Sequence, residues 1–219
     1  MRRNTILFLH GLESSPGGSK ATYLEECGYK VLNPTLPKDS FEESVRIAQE
    51  IVDRENPAVV VGSSRGGAVA MCLKAAFPPH RLILIAPAWS RYAPASGHKI
   101  SPSAIILHSI KDEVIPFSDS KTLEKHSGAR VINVGNCHRM NDSYALHALG
   151  KAVKEATRVQ VGDLVSLNAA YSNAGIGKGI VVDVNPYYYF VRWYNSRLYD
   201  STSTIAHIEN ELEVLSQAR

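Results

Sequence analysis

The sequence predicts an α/β protein built on a mostly parallel six-stranded sheet, followed by a small all-β module. Three observations predict it. Apolar runs of strand length recur between residues 5 and 134, longer segments of helical character separate them, and near Val159 the texture changes to short β-type segments divided by turn residues. Uninterrupted Val, Ile and Leu runs suit strands buried on both faces, and alternation with crossover helices makes such a sheet parallel.

The expected strands are 5–9, 29–32, 58–62, 81–86, 104–108 and 130–134. The crossover helices between them are expected at 20–27, 41–54, 66–76, 118–126 and 142–156. Asp39 or Ser40 caps the second helix, Glu55-Asn56-Pro57 stops it, and Pro78-Pro79 stops the third, because proline cannot continue the hydrogen-bond ladder. The connection 87–102 holds Pro94, Gly97 and few apolar residues, so it reads as a loop with at most a short helix.

Val161-Gly162-Asp163 opens the second region. Strands are expected at 164–167, 180–184 and 187–193, with a turn region at 173–179 and a final pair of short segments ending at Val214. About 60 residues of closely spaced strands suit a small SH3-like barrel, with Val161-Gly162-Asp163, residues 177–181 and Val191-Arg192-Trp193 as its pattern. The domains are therefore set at 1–157 and 158–219, packed together. Tyr187, Tyr188, Tyr189, Trp193, Tyr194 and Tyr199 could form a stacking surface, although at period two some of them must face the barrel core.

The 219 residues leave room for one ordinary domain and a small companion, with 44% apolar and 21% charged residues as in folded water-soluble proteins. The net charge of +3 hides an asymmetry: residues 1–158 carry 20 Lys+Arg against 15 Asp+Glu, whereas 159–219 carry 4 against 6. No basic stripe of the kind that follows a phosphate backbone is present, so no nucleic-acid partner is expected. Cys27, Cys72 and Cys137 lie far apart without C-x-x-C spacing, which suits free thiols in a reducing compartment. The apolar stretch 6–9 is too short for a signal-peptide core and no run has the length of a membrane span, so a cytoplasmic protein without membrane partners is expected.

Gly62-Ser63-Ser64-Arg65-Gly66 fits G-x-S-x-G, a string that composition alone can produce, and its context gives it meaning. It follows an apolar strand and precedes a small-residue helix, which is the strand–turn–helix geometry that lifts a serine hydroxyl above the edge of a sheet. Ser64 is the candidate nucleophile. A serine hydroxyl needs a base, and that base needs an acid to orient it. Asp112 follows the fifth strand and His138 the sixth, so both fall where parallel strands end. Glu113 and Asp119 are the alternative acids. His126 and His147 fall within helices as surface or packing residues, His108 ends an interior strand, and Asp142 caps the last helix.

Leu9-His10-Gly11-Leu12 ends the first strand, where the Leu12 amide paired with that of Arg65 would form an oxyanion hole. His10 then organises this loop, or is an ordinary buried polar side chain. His10 and Trp89 are the candidate substrate contacts. The Arg65 side chain either reaches into the site and favours anionic acyl groups or faces solvent. Gly175-Ile176-Gly177-Lys178-Gly179 lacks the spacing of a phosphate loop, and no histidine or carboxylate cluster has metal-ligand spacing, so no metal or other cofactor is expected.

Together His10-Gly11, residues 62–66, Lys111-Asp112-Glu113-Val114 and His138 resemble the α/β-hydrolase superfamily over residues 1 to about 155, in the order Ser64, Asp112, His138 expected of it. Leu9-His10-Gly11-Leu12-Glu13-Ser14-Ser15-Pro16 with Gly62-Ser63-Ser64 is similar to the small, capless bacterial YqiA-type esterases. The resemblance implies hydrolysis of carboxylic esters or thioesters through an acyl-enzyme. Arg65 stands where such relatives usually carry an apolar residue, and the C-terminal barrel is no part of their pattern. A peptidase, an acyltransferase, or a non-catalytic scaffold whose barrel binds a protein or polymer are the alternatives.

Overall fold

The computed structural model describes residues 2–73, 81–92, 100–159, 161–167, 177–185, 187–194, 204–208 and 211–216. The chain divides into two compact units, Asn4–Thr157 and Arg158–Arg219 with Met1–Arg3.

The first unit alternates strands and helices: β1 (Arg2–Leu9), α1 (Ser19–Glu26), β2 (Lys30–Leu32), α2 (Phe41–Glu55), β3 (Pro57–Ser63), α3 (Arg65–Met71), β4 (Leu82–Ile85), α4 (Trp89–Tyr92), β5 (Ile105–His108), α5 (Phe117–Ser127), β6 (Arg130–Asn133) and α6 (Ser143–Thr157). The sheet order is β2-β1-β3-β4-β5-β6, and the β1–β2, β3–β4, β4–β5 and β5–β6 pairs are parallel. Successive side chains of a strand point to opposite faces, and the core divides accordingly. Ile6, Phe8, Val59, Val61, Ile83, Ile85, Ile105 and Leu107 pack with α1 and α6 on one face. Leu7, Leu9, Val60, Leu82, Leu84 and Ile106 pack with α2, α3 and α5 on the other. Both faces are covered, which is why the strands read as unbroken apolar runs.

Local signals set the helix ends. Ser40, not Asp39, caps α2: its hydroxyl accepts from the Glu43 amide at 3.1 Å, and Glu42 and Glu43 lie in the positive first turn. Asn56 ends α2 in the left-handed conformation (φ 43°), with Pro57 opening β3. Asp142 caps α6 by accepting from the Ala145 amide at 3.0 Å. The connection after β4 contains the short helix α4. The Pro78-Pro79 stop, Pro94 and Gly97, residues 173–176 of the expected turn and Tyr199 lie outside the described residues.

The second unit contributes β7 (Leu164–Leu167), β8 (Lys178–Val184), β9 (Tyr189–Tyr194), β10 (Thr204–His207) and β11 (Leu212–Ser216). They form an antiparallel sheet in the order β10-β9-β8-β7-β11. Val165, Leu167, Val181, Tyr189, Val191, Trp193, Leu212 and Val214 make its core. Alternation therefore splits the aromatic group: Tyr189 and Trp193 are buried, while Tyr187, Tyr188 and Tyr194 are exposed. The Trp193 indole donates to His207 Nε2 at 3.2 Å, so the polar edge of this core is satisfied.

One close approach positions the site. A Cβ added to Gly66 would stand 2.1 Å from the Leu9 carbonyl oxygen and 2.6 Å from that of His10, both backbone atoms that cannot turn aside. Only glycine lets α3 press against the end of β1. Gly66→Ala is therefore expected to destabilise the first unit by about 3 kcal/mol, the upper part of the range for overpacking. Gly18→Ala, where the nearest contact is 3.6 Å, is expected to stay within about 1 kcal/mol of wild type. Urea unfolding of both variants checks the contrast, and equal stability of the two would contradict the close approach.

Candidate active site

The sheet order reverses between β1 and β3, because β2 lies outside β1 on one side while β3 to β6 run outward on the other. Loops leaving β1 and β3 diverge at such a switch point and leave a crevice at the strand ends. Ser64 sits there. It joins β3 to α3 with φ 54° and ψ −118°, a conformation that costs a non-glycine residue about 1–3 kcal/mol and persists only where surroundings enforce it. The surroundings are visible: the Ser64 amide donates to the Ile85 carbonyl at 2.8 Å, and the Ser64 carbonyl accepts from Gly67 at 2.9 Å and Ala88 at 3.0 Å. The β1 loop closes on the same point, since a Cβ added to Gly11 would lie 3.3 Å from Ser64 Cβ and 3.8 Å from its Oγ.

His138, in the loop between β6 and α6, places Nε2 3.0 Å from Ser64 Oγ and Nδ1 2.7 Å from Asp112 Oδ2. Asp112 has a fully buried side chain and His138 a mostly buried one. A carboxylate can only accept, so Nδ1 carries the ring proton and Nε2 is left to accept from the serine hydroxyl. The structure thus brings Ser64, His138 and Asp112 into one hydrogen-bonded chain. Neither alternative acid reaches the imidazole: the Glu113 carboxylate accepts from the His138 backbone amide at 3.1 Å, and Asp119 accepts from Ser90 Oγ at 2.5 Å.

Asp112 is held by four donors. The Val114 and Ile115 amides each donate to Oδ1 at 2.8 Å, and the His138 and His108 rings meet Oδ2. Burial by itself would raise the carboxyl pKa, but the bonds from Ile115, His138 and Val114 outweigh it and hold the group below its ordinary range. The acid loop is fastened to the histidine loop through Ser109, whose hydroxyl donates to the Gly135 carbonyl at 2.9 Å. The histidine loop is also fastened to α1, where the Lys20 ammonium donates to the Arg139 carbonyl. Burial pushes Lys20 down to about 8, against the opposing pull of the nearby Cys137.

His108 is the residue that sequence reasoning missed. Its Nε2 lies 3.0 Å from Asp112 Oδ2 and 3.2 Å from the Ile115 carbonyl, while Nδ1 lies 2.7 Å from Ser120 Oγ. Two acceptors face Nε2, so that nitrogen carries the proton and Nδ1 accepts from the serine. Burial lowers the His108 pKa, with Asp112 acting against it, so the neutral ring is the resident form. The available signal was its spacing, four residues before the acid at the end of the same strand.

The remaining expected residues take structural positions. His10 donates from Nδ1 to the Gly11 carbonyl at 2.8 Å and accepts at Nε2 from the Leu36 amide at 3.2 Å, so it organises its loop. Leu12 follows, half-buried. Arg65 meets neither expectation: its side chain is buried, neither in solvent nor free to reach a substrate, because Nη2 is spent on the carbonyls of Pro37 and Ser40 and on Ser44 Oγ. Trp89 packs against the core on the α2 side and donates from its indole to the Asp119 carbonyl at 3.2 Å, tying α4 to α5. His126 and His147 are exposed helix residues. Among the described residues no group of three or more His, Cys, Asp or Glu is placed to hold a metal ion, and no helix is long and apolar enough to cross a membrane.

Residues 5–99 match a family described as the uncharacterised protein family UPF0227. No curated protein matches the chain. Among solved structures, a protein of the α/β hydrolase superfamily from Xanthomonas campestris pv. campestris is similar at 22% identity, TM-score 0.57, over 72% of this chain and 98% of its own. The mouse α/β hydrolase domain-containing protein 10 follows at 18% identity and TM-score 0.55, over 69% of this chain and 88% of its own. The esterase domain of a Rhodothermus marinus protein is similar at 17% identity and TM-score 0.53, over 70% of this chain and 85% of its own. The parallel sheet, its switch point and these likenesses agree: the first unit has the α/β-hydrolase fold.

Proposed function

We propose that this protein is a serine hydrolase that cleaves carboxylic esters or thioesters through an acyl-enzyme. The observation that carries the reading is the chain of hydrogen bonds from Ser64 through His138 to Asp112, at 3.0 and 2.7 Å, on an elbow strained to φ 54°. His138 Nε2 removes the hydroxyl proton as Ser64 Oγ attacks the acyl carbon, and the imidazolium returns that proton to the departing alcohol or thiol. Water, activated by the same nitrogen, then releases the acid. Asp112 keeps the ring in the required tautomer and stabilises its charged form, while neutral His108 donates to the carboxylate without competing for a proton.

The developing oxyanion is met by the amides of Leu12 and Arg65. Arg65 is the first residue of α3, so its N–H belongs to the turn that has no partner within the helix. Gly11 packs directly on Ser64, which supports the amide of the next residue, Leu12, as the second donor. The SH3-like reading of the second unit is part of the same proposal. It draws support from the strand order, a four-strand antiparallel meander β7 to β10 with β11 returning beside β7, an arrangement that suits a small, partly open barrel. The esterase names of structural neighbours favour ester chemistry.

Ser64→Ala and His138→Ala are each expected to lose at least about 10⁴-fold in kcat on activated esters, with the double variant no worse than the singles, since such groups act as a unit. A fluorophosphonate probe is expected to label wild type at Ser64 and to leave Ser64→Ala unlabelled. Multiplying losses, or turnover by Ser64→Ala, would remove the assignment; a panel of esters, thioesters and peptides ranks the leaving groups.

The protonation states carry a stability prediction. Folded His108 binds protons less readily than a histidine in the unfolded chain, so acidification below the ordinary value of 6.5 favours the unfolded state. Asp112, held below 3.8, adds a further loss on acidification, starting near that value. Stability is therefore expected to fall as the pH drops below about 6.5, and His108→Gln is expected to flatten that part of the curve. Urea unfolding across this range checks it: an unchanged slope in His108→Gln would contradict a neutral buried ring.

A further inference from the structure

The Arg65 guanidinium is a buried cation, and among the described residues no carboxylate pairs with it. Nη2 donates to the Pro37 carbonyl at 2.7 Å, the Ser40 carbonyl at 2.8 Å and Ser44 Oγ at 3.1 Å. The guanidinium carbon also stands 5.7 Å from the Phe41 ring centroid and 5.8 Å from that of Tyr92, within cation–π range. Burying a charge is costly unless its hydrogen bonds are made. The partners have to be rigid for that, and they are: Ser44 Oγ is within reach of the Ser40 carbonyl at 2.9 Å and the Pro37 carbonyl at 3.2 Å, while Ser40 is the cap of α2.

The same short segment receives a second anchor from the opposite wall of the site. His10 accepts from the Leu36 amide, one residue before Pro37, and its other nitrogen donates to the Gly11 carbonyl. Leu36 is buried. Residues 36–44 therefore join the β1 loop, through His10, to the residue after the nucleophile, through Arg65.

We propose that Arg65 is a positioning residue whose guanidinium, acting through residues 36–44 and His10, sets the spacing between the two backbone amides that receive the oxyanion. The proposal rests on the serine-hydrolase reading above. It gives the Arg65 side chain a part in the transition state without contact to substrate: the amide of Arg65 donates, and its own side chain fixes where that amide stands relative to Leu12. Lysine could not replace it, because a single ammonium lacks the planar fork that holds several fixed acceptors and stacks against rings.

The test uses the full chain, a p-nitrophenyl ester and a boronic acid whose tetrahedral adduct needs the oxyanion donors. Arg65→Met is expected to lower kcat about 10- to 100-fold, the cost of misplacing one such donor, with KM within about threefold and boronate affinity falling in parallel with kcat. Ser44→Ala, which removes one acceptor and keeps the buried charge, is expected to lower kcat about two- to fivefold in the same pattern; it carries the test if Arg65→Met does not fold. His10→Gln combined with Arg65→Met is expected to cost less than the product of the single losses, because both act on one segment. If either single variant is folded at the assay temperature with wild-type kcat and boronate affinity, or if the His10 and Arg65 losses multiply, the proposal is overturned while the hydrolase reading stands. Wild type that neither labels with fluorophosphonate nor turns over the ester overturns both.

Discussion

The approach of α3 to the end of β1 is the constraint on which the site depends. A helix that starts immediately after β3 has to pass the last carbonyls of the neighbouring strand, and Gly66 leaves no space for a single added carbon between them. The chain can make this passage only by turning sharply at Ser64, which accounts for the positive φ there. Backbone hydrogen bonds to Ile85, Gly67, Ala68 and Ala88 hold the turn against its strain. The exposed edge of the sheet then presents a hydroxyl on one side and the β1 loop on the other, at the point where the strand order reverses.

A buried carboxylate imposes the second condition. Asp112 lies out of water and stays charged, which is tolerable only because every direction around it offers a donor: two backbone amides of its own loop and two imidazoles. That demand organises residues well beyond the acid. The loop after β5 must curl so that the amides of Val114 and Ile115 point inward, Ser120 on α5 must fix the tautomer of His108, and Ser109 must hold the neighbouring histidine loop in register. The imidazole beside Ser64 is thus backed by a carboxylate whose own further donors are two backbone amides and a second imidazole.

The second unit follows simpler rules. Its sheet is antiparallel, its strands alternate, β11 returns to pair with β7, and a small core gathers around Trp193. Period-two alternation turns Tyr189 and Trp193 inward and leaves Tyr187, Tyr188 and Tyr194 at the surface. The structural neighbours cover about seven-tenths of the chain, with the first unit as the shared fold.

The sequence by itself determined the sheet. Six strand-length apolar runs, the helices between them and the G-x-S-x-G turn are local signals, since burial on both faces and the strand–turn–helix bend are written into consecutive residues. Most element ends lie within three residues of the expected ones, and of the two candidate caps Ser40 took the N-cap of α2, but α3 ends at Met71, five residues short of the helix expected at 66–76. The candidate nucleophile, base and acid were legible for a related reason, because parallel strands place whatever follows them on one edge. What only the tertiary structure decided is how side chains meet across that edge. Asp112 rather than Glu113 or Asp119 faces the imidazole because of how one loop curls, the same curl sets the acid against His108 at the end of β5, and Arg65 turned inward to the α2 cap. These contacts join residues four to seventy-four positions apart, and their energies depend on burial and angle, which exist only once the elements have packed.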